Sequence, residues 1–399
     1  MSRSLFAVTV FAPLVITVSV LASSAAVQSD HQGEVRLPAK LDAEGASQML
    51  IPVRVKEHTF WCNADSGGSR VLSLDLTKAL NAGLEANATG TNAGVGPEVS
   101  RDQRVRGVTV EIGSIVLHDA TLVLVNRPTV VPDIDCVLGL GLLPDYAIEF
   151  DYLTPSVRLI PASGFRPPAG AVAIPITMDR SATPSAKVRI RFGGTDPVEA
   201  TLMIDTGASY YDLVLLKPFV DANRVGDRIG AVLPRFSDSP GMTIGAGRAS
   251  AVTLGPFEIT GPVAALIATP SGATFSVDGL LGTGFLRRFT LTFDYGRQQL
   301  WLRPNGRPTG PQPFDASGIE LRPTEAHEFA IVAIAPDSAA SIAGLHVGDL
   351  LKQVDGRPAR DMNLGQIQDV FNRVDETCTV QIERGGRLQT ARLHLRRRL

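Results

Sequence analysis

The sequence predicts a mainly β chain: two copies of one lobe, then a small α+β domain. Three observations carry that expectation. Residues 34–161 read as short β-runs punctuated by Gly, Pro and Asn, with no long helical period competing. Blocks of this sequence recur further on at nearly one offset. A Pro- and Gly-rich stretch, residues 303–312, then separates the repeated part from a tail of different character. A length of 399 residues, 20% charged and 44% apolar, suits two or three globular domains, each with its own core.

The first residues stand outside the fold. Arg3 precedes an apolar run, residues 5–21, and then Ala22-Ser23-Ser24-Ala25-Ala26. That is the layout of a secretory signal spanning residues 1–26, so an exported protein is expected, periplasmic or extracellular. The run is long for a signal and contains Pro13, which leaves an uncleaved anchor as the alternative and the sole route to membrane contact.

The first lobe is placed at residues 27–161, with β-runs at 49–55, 105–112, 120–125 and 156–160 and a short helix at 73–84. The second is placed at 162–302, after a seam near Pro161 and Pro168. The repeat defines both. Asp135-Cys136-Val137-Leu138-Gly139 matches Asp278-Gly279-Leu280-Leu281-Gly282, a separation of 143, and Phe150-Asp151-Tyr152 matches Phe293-Asp294-Tyr295 at the same separation. Asp65-Ser66-Gly67 matches Asp205-Thr206-Gly207 at a separation of 140.

The last pair carries the chemistry. Leu202-Met203-Ile204 delivers Asp205 from an apolar strand, where an ionised carboxylate without partners is costly. The Asp65 copy has a less apolar approach, Trp61-Cys62-Asn63-Ala64, and Gly68 where the second has Ala208. Two such acids at matched strand ends suggest a carboxylate dyad. Asp135 and Asp278 read as turn or capping residues, and Tyr210-Tyr211 as either subsite or core. Each lobe also has a glycine-flanked segment, Gly94-Val95-Gly96 and Gly245-Ala246-Gly247, at which a hairpin can fold over a cleft as a flap.

After the linker (residues 303–318), the tail 319–399 shows a strand at 329–334 and a short helix at 338–343. A strand follows Gly348-Asp349, then a turn at Val354-Asp355-Gly356-Arg357, a helix at 364–374, and closing strands at 379–383 and 390–395.

Asp205-Thr206-Gly207-Ala208-Ser209, with Leu202-Met203-Ile204 before it and Leu280-Leu281-Gly282 after, resembles the active-site signatures of aspartic proteases. Asp65-Ser66-Gly67 and Val137-Leu138-Gly139 repeat both. The chain over residues 45–302 resembles the bacterial retropepsin-like group, with two lobes fused as in pepsin. The tail resembles a PDZ domain, best from Pro336-Asp337-Ser338-Ala339-Ala340 to Val354-Asp355-Gly356. The resemblance implies two retropepsin-like β-barrel lobes followed by a PDZ α+β domain. It also implies an endopeptidase in which Asp65 and Asp205 share one proton and activate a water. Ser66, Gly67, Thr206 and Gly207 would hold the two carboxylates. His327, Glu328, Phe329 and Ala330 would form the PDZ peptide groove, by strand addition to a sheet edge.

Implied partners are peptide or protein substrates and a C-terminal peptide at the PDZ domain. No cofactor is called for. The six histidines show no metal-binding spacing, and a net charge of -2 without a basic stripe argues against nucleic acid. Cys62 and Cys136 can pair across adjacent strands, but three free thiols, with Cys378, is the reading preferred. Two rivals remain. Asp65-Ser66-Gly67-Gly68-Ser69 also resembles the nucleophile turn of chymotrypsin-like proteases, yet only His31 and His58 precede Ser66, which is the wrong arrangement. A non-catalytic peptide-binding module on the same scaffold is the other.

Overall fold

The computed structural model describes residues 33–42, 48–126, 134–235, 241–324, 326 and 328–399. The expected signal segment and His327 lie outside them. The described part is mainly β, with two barrel-like lobes ahead of a C-terminal α+β domain. Among the described residues no helix is long and apolar enough to cross a membrane.

Each lobe is threaded the same way. In the first, strand His58–Asp65 runs parallel to Cys136–Gly139, which in turn is antiparallel to Leu72–Asp75. In the second, Val198–Ile204 runs parallel to Gly279–Leu281, antiparallel to Leu213–Leu215. The Leu-Gly strand therefore inserts between the strand that ends at the acid and the strand that leaves the turn. A parallel pair demands a long crossover, which explains why the two signatures of each lobe lie so far apart in sequence. Strand alternation sorts the side chains: Phe60, Cys62 and Ala64, with Leu202 and Ile204, enter the main core, while Met203 joins a separate apolar cluster on the other face.

A six-stranded sheet joins the lobes, in the order Val35–Pro38, Ser156–Pro161, Tyr146–Asp151, Phe289–Asp294, Gln299–Pro304, Val172–Pro175. Its two central strands are the repeat-related pair, antiparallel with Ile148 opposite Phe293 and Phe150 opposite Leu291. The ring of Phe150 meets Phe293 edge-on at 6.1 Å, and Tyr152 and Tyr295 stack outside them.

The cysteine expectation is corrected. Cys62 and Cys136 are register partners across the parallel pair and form a disulfide, leaving Cys378 free and buried. Each of the two stands three residues before the contact of Asp65 with Gly139, so the threading itself brings them together.

The tail forms its own core and a sheet ordered Ile319–Pro323, Phe329–Ile334, Leu350–Val354, Thr377–Arg384, Arg387–His394. Helix Leu364–Phe371 starts in a capping box between Asn363 and Gln366 and buries Leu364, Ile367, Val370 and Phe371. The linker does not hang free. The Thr260 N–H donates to Thr309 O (3.1 Å) and Arg248 donates to Gln312 O (2.8 Å), which lays the chain along the second lobe. There Arg235 pairs with Asp315 (2.7 Å) and Glu320 (2.6 Å), and Phe314 packs 6.0 Å from the ring of Tyr211.

Candidate active site

The two Asp turns meet at the lobe interface. The Gly67 N–H donates to Asp65 Oδ1 at 2.7 Å, and the Gly207 N–H donates to Asp205 Oδ1 at 2.7 Å. Ala208 N–H adds a second donor to Asp205 at 3.1 Å. Each carboxyl also lies against the glycine of the other turn. A Cβ on Gly67 would come within 2.6 Å of Asp205 Cγ, and one on Gly207 within 2.5 Å of Asp65 Oδ2. Only a residue without a side chain lets the acids approach so closely. Both are buried, at 3% and 0% exposure.

The hydroxyls act differently from the expectation. Ser66 Oγ donates to Ile204 O (2.6 Å) and Thr206 Oγ1 to Ala64 O (2.8 Å), each reaching into the opposite lobe. The Ser66 N–H donates to Thr206 Oγ1 (2.9 Å), and the Thr206 N–H to Ser66 Oγ (3.0 Å). Ser66 and Thr206 thus hold the two turns to one another, and the carboxylates are held by the backbone amides and by each other. The reason is geometric: with each hydroxyl turned toward the opposing backbone, all four of its groups find partners.

Beneath the turns sit the glycines of the Leu-Gly strands. A side chain on Gly139 would collide with the carbonyls of Gly68 and Ser69, and one on Gly282 with those of Ala208 and Tyr211 at 2.6 Å. Asp135 and Asp278 take matched structural roles. Asp135 accepts from the Trp61 N–H (2.7 Å) and Asp278 from the Thr201 N–H (2.8 Å), pinning each Asp-bearing strand midway along, at the same distance before its acid. Gln48, which carried no sequence signal, donates to Gly207 O at 2.8 Å.

Burial, and then the charge of Asp205, hold the Asp65 carboxyl well above the usual carboxylate range. Burial also raises Asp205, while the hydrogen bond with Asp65 and the amides of Gly207 and Ala208 oppose that rise. The arrangement suits one proton shared by two acids, with Asp65 the more reluctant to ionise. Tyr152 and Tyr295, at matched positions, are near enough that burial and then the dyad charge push their phenols up.

The first flap segment falls at a hairpin tip. Strands Ala88–Ala93 and Val99–Ile112 form a hairpin whose tip carries Gly94, Val95 and Gly96 to the second lobe. The second does not. Gly245, Ala246 and Gly247 lie inside strand Ile244–Arg248, paired on one side with Val232–Arg235 and on the other with Val263–Ile267. Gly94 and Gly245 are 151 apart, outside the 140–143 offset of the true repeat. Ala246 is instead the counterpart of Arg104.

The groove placed at 327–330 is also corrected. Phe329 and Ala330 pair with Pro323 and Arg322 on one side and with Leu351 and Leu350 on the other. Glu328 is tied to Lys352. A peptide cannot add to a strand with no free edge, and among the described residues the end strand on that side is Ile319–Pro323.

A family model for the PDZ domain matches residues 312–383. The tail is a PDZ domain. Among solved structures the chain is similar to the aspartic proteinase from Irpex lacteus, at 14% identity and a TM-score of 0.43, over 69% of this chain and 98% of that one. No curated protein matches the chain. The PDZ domain is joined to the second lobe through Asp315 and Glu320, its acids nearest the linker, and both reach Arg235. Among the described residues no cluster of three or more His, Cys, Asp or Glu is placed to hold a metal.

Proposed function

We propose that the chain is an aspartic endopeptidase. The observation that carries the reading is the pair of matched turns that face Asp65 and Asp205 across the lobe interface, each carboxyl against the other turn's glycine. A water between the carboxyls loses its proton to Asp205, whose anion is favoured by the hydrogen bond with Asp65 and by the amides of Gly207 and Ala208. Asp65, holding the shared proton, polarises the scissile carbonyl as the water oxygen adds to its carbon. The proton taken up by Asp205 then passes to the leaving amine as the C–N bond breaks. The PDZ domain, held on the second lobe, offers peptides or protein substrates a second foothold. Export past the cytoplasm belongs to the same proposal, and the Cys62–Cys136 bond supports it because such bonds persist in oxidising compartments.

The test is cleavage of a mixed peptide library across acid to neutral pH by the parent and by Asp65→Asn and Asp205→Asn. Cleavage by the parent, lost in both variants and blocked by a statine-type mimic of the tetrahedral state, supports the dyad. A folded parent that binds peptides and cleaves none at any pH overturns the proposal in favour of a binding module.

A further inference from the structure

The flap tip makes contacts of the kind an extended peptide would make. Val95, from the first lobe, is fully buried in a cluster otherwise drawn from the second: Met203, Ala208, Val214, Leu216, Ala265, Ile267 and Leu280. Met203 and Ala208 flank Asp205 in the chain, so this recess adjoins the catalytic turn. The backbone on either side of Val95 is bound as well. The Gly272 N–H donates to Gly96 O at 2.7 Å, and the Ala273 N–H to Gly94 O at 3.4 Å. An aliphatic side chain in an apolar recess, with alternate carbonyls bonded by a neighbouring segment, is how a cleft takes hold of a peptide in extended form.

We propose that the flap tip is a resident stand-in for substrate: the recess around Met203, Val214, Leu216 and Leu280 is a specificity pocket for a β-branched aliphatic side chain, and Val95 occludes it until such a residue displaces it. The proposal rests on the dyad reading for the position of the cleft but not for its test. A peptide with a valine or isoleucine at the matching position regains the burial that the flap gives up, and the amides of residues 272 and 273 change partner without being left bare. A peptide with a polar residue there leaves the recess either empty or filled by a group it cannot satisfy, so it opens the flap at a loss. Burial of a single valine side chain is enough to set a preference of about tenfold or more.

Two variants release the flap from different sides. Val95→Asp puts a charge where only apolar atoms fit. Gly272→Ala leaves the recess untouched, but its Cβ would meet Glu98 O at 2.7 Å and Pro97 O at 2.9 Å, and so pushes the tip backbone away. The full-length chain and each variant are titrated with two non-cleavable reduced-amide peptides that differ only in valine or asparagine at one position scanned along the peptide. Amide hydrogen exchange over residues 94–98 is followed in parallel. Expected in both variants are faster exchange at 94–98 and about tenfold tighter binding of both peptides, with a valine-over-asparagine preference of about tenfold at one scanned position in parent and variants alike. Affinities that stay level in variants whose exchange shows the tip released overturn the proposal, as does the absence of a valine preference at every scanned position; so does unaltered exchange in a folded Gly272→Ala protein. Should Val95→Asp fail to fold, Gly272→Ala alone decides. Because neither readout involves cleavage, a failure of the dyad shows up only in the library assay.

Discussion

The two lobes share their turns and differ in the faces beside them. Register links one row of side chains across the face of each sheet that also carries its acid. In the second lobe the row is Met203, Leu280, Val214, Ala265 and Ala246. In the first it is Asn63, Val137, Ser73, Val123 and Arg104. Position by position, apolar Met203, Val214 and Ala246 stand where the first lobe has Asn63, Ser73 and Arg104. The two-fold symmetry therefore survives where the two acids meet and lapses along the faces beside them. The flap follows the same division: the first lobe supplies it and the second receives it.

The largest expected effect tests the symmetric part. Asp65→Asn and Asp205→Asn should each reduce kcat/KM for peptides by about a thousandfold, the scale of acid–base assistance. Unequal losses, with one variant near the parent rate, would break the equivalence of the turns.

The next effect belongs to one lobe. The Cys62–Cys136 link closes a separation of 74 residues, and the second lobe has Leu202 and Gly279 in the corresponding places. Replacing both cysteines with alanine should cost about 4 kcal/mol on the chain-entropy account, read from urea unfolding. First-lobe amides should lose most of the hydrogen-exchange protection, and equal loss in both lobes would mean that they unfold as one unit. Thr206→Val comes third. It removes a hydroxyl that accepts from Ser66 and donates to Ala64, both buried, and should cost about 2 kcal/mol.

The pH dependence has a definite sign. Folding raises the proton affinity of Asp65 and Asp205 above the unfolded value of 3.8, so the native state binds more protons than the unfolded one. That contribution to stability is complete below pH 3.8 and declines as pH rises through the raised folded values. Urea unfolding from pH 4 upward should show the parent losing stability relative to Asp65→Asn, and parallel curves would contradict it. The smallest effect sharpens the contrast between the faces. Asn63 Oδ1 is buried with no hydrogen-bond partner among the described residues. Asn63→Leu, which makes the row resemble that of the second lobe, should add about 1 kcal/mol of stability in the same assay.

Much of this was legible because the chemistry is local. An acid after an apolar strand, a glycine directly behind it and a second glycine to pack below are choices each position makes from its own surroundings, and the shared offset revealed their duplication. What escaped depends on partners remote in sequence. Nothing near Ser66 or Thr206 says that their hydroxyls cross to the other lobe, since that follows from how closely the turns approach. The disulfide was within reach: Cys62 and Cys136 each stand three residues before Asp65 and Gly139, which the close packing of turn and Leu-Gly strand sets side by side. Glycine spacing alone points to a second flap at 245–247 that the repeat offset excludes, and strand propensity at 329–330 does not reveal that both edges of that strand are paired.

The docked tail alters what its removal would mean. Arg235, largely buried beside Tyr211, has as its ion-pair partners Asp315 and Glu320, both beyond the Pro- and Gly-rich stretch. Shortening the chain at Gly310 therefore removes two charges from the side of the second lobe as well as a domain. It leaves a guanidinium without its two acids next to Tyr211, in the segment that follows the Asp205 turn. A full-length protein carrying Asp315→Asn and Glu320→Gln reproduces the first change without the second, and gives the baseline from which the domain's own share can be read.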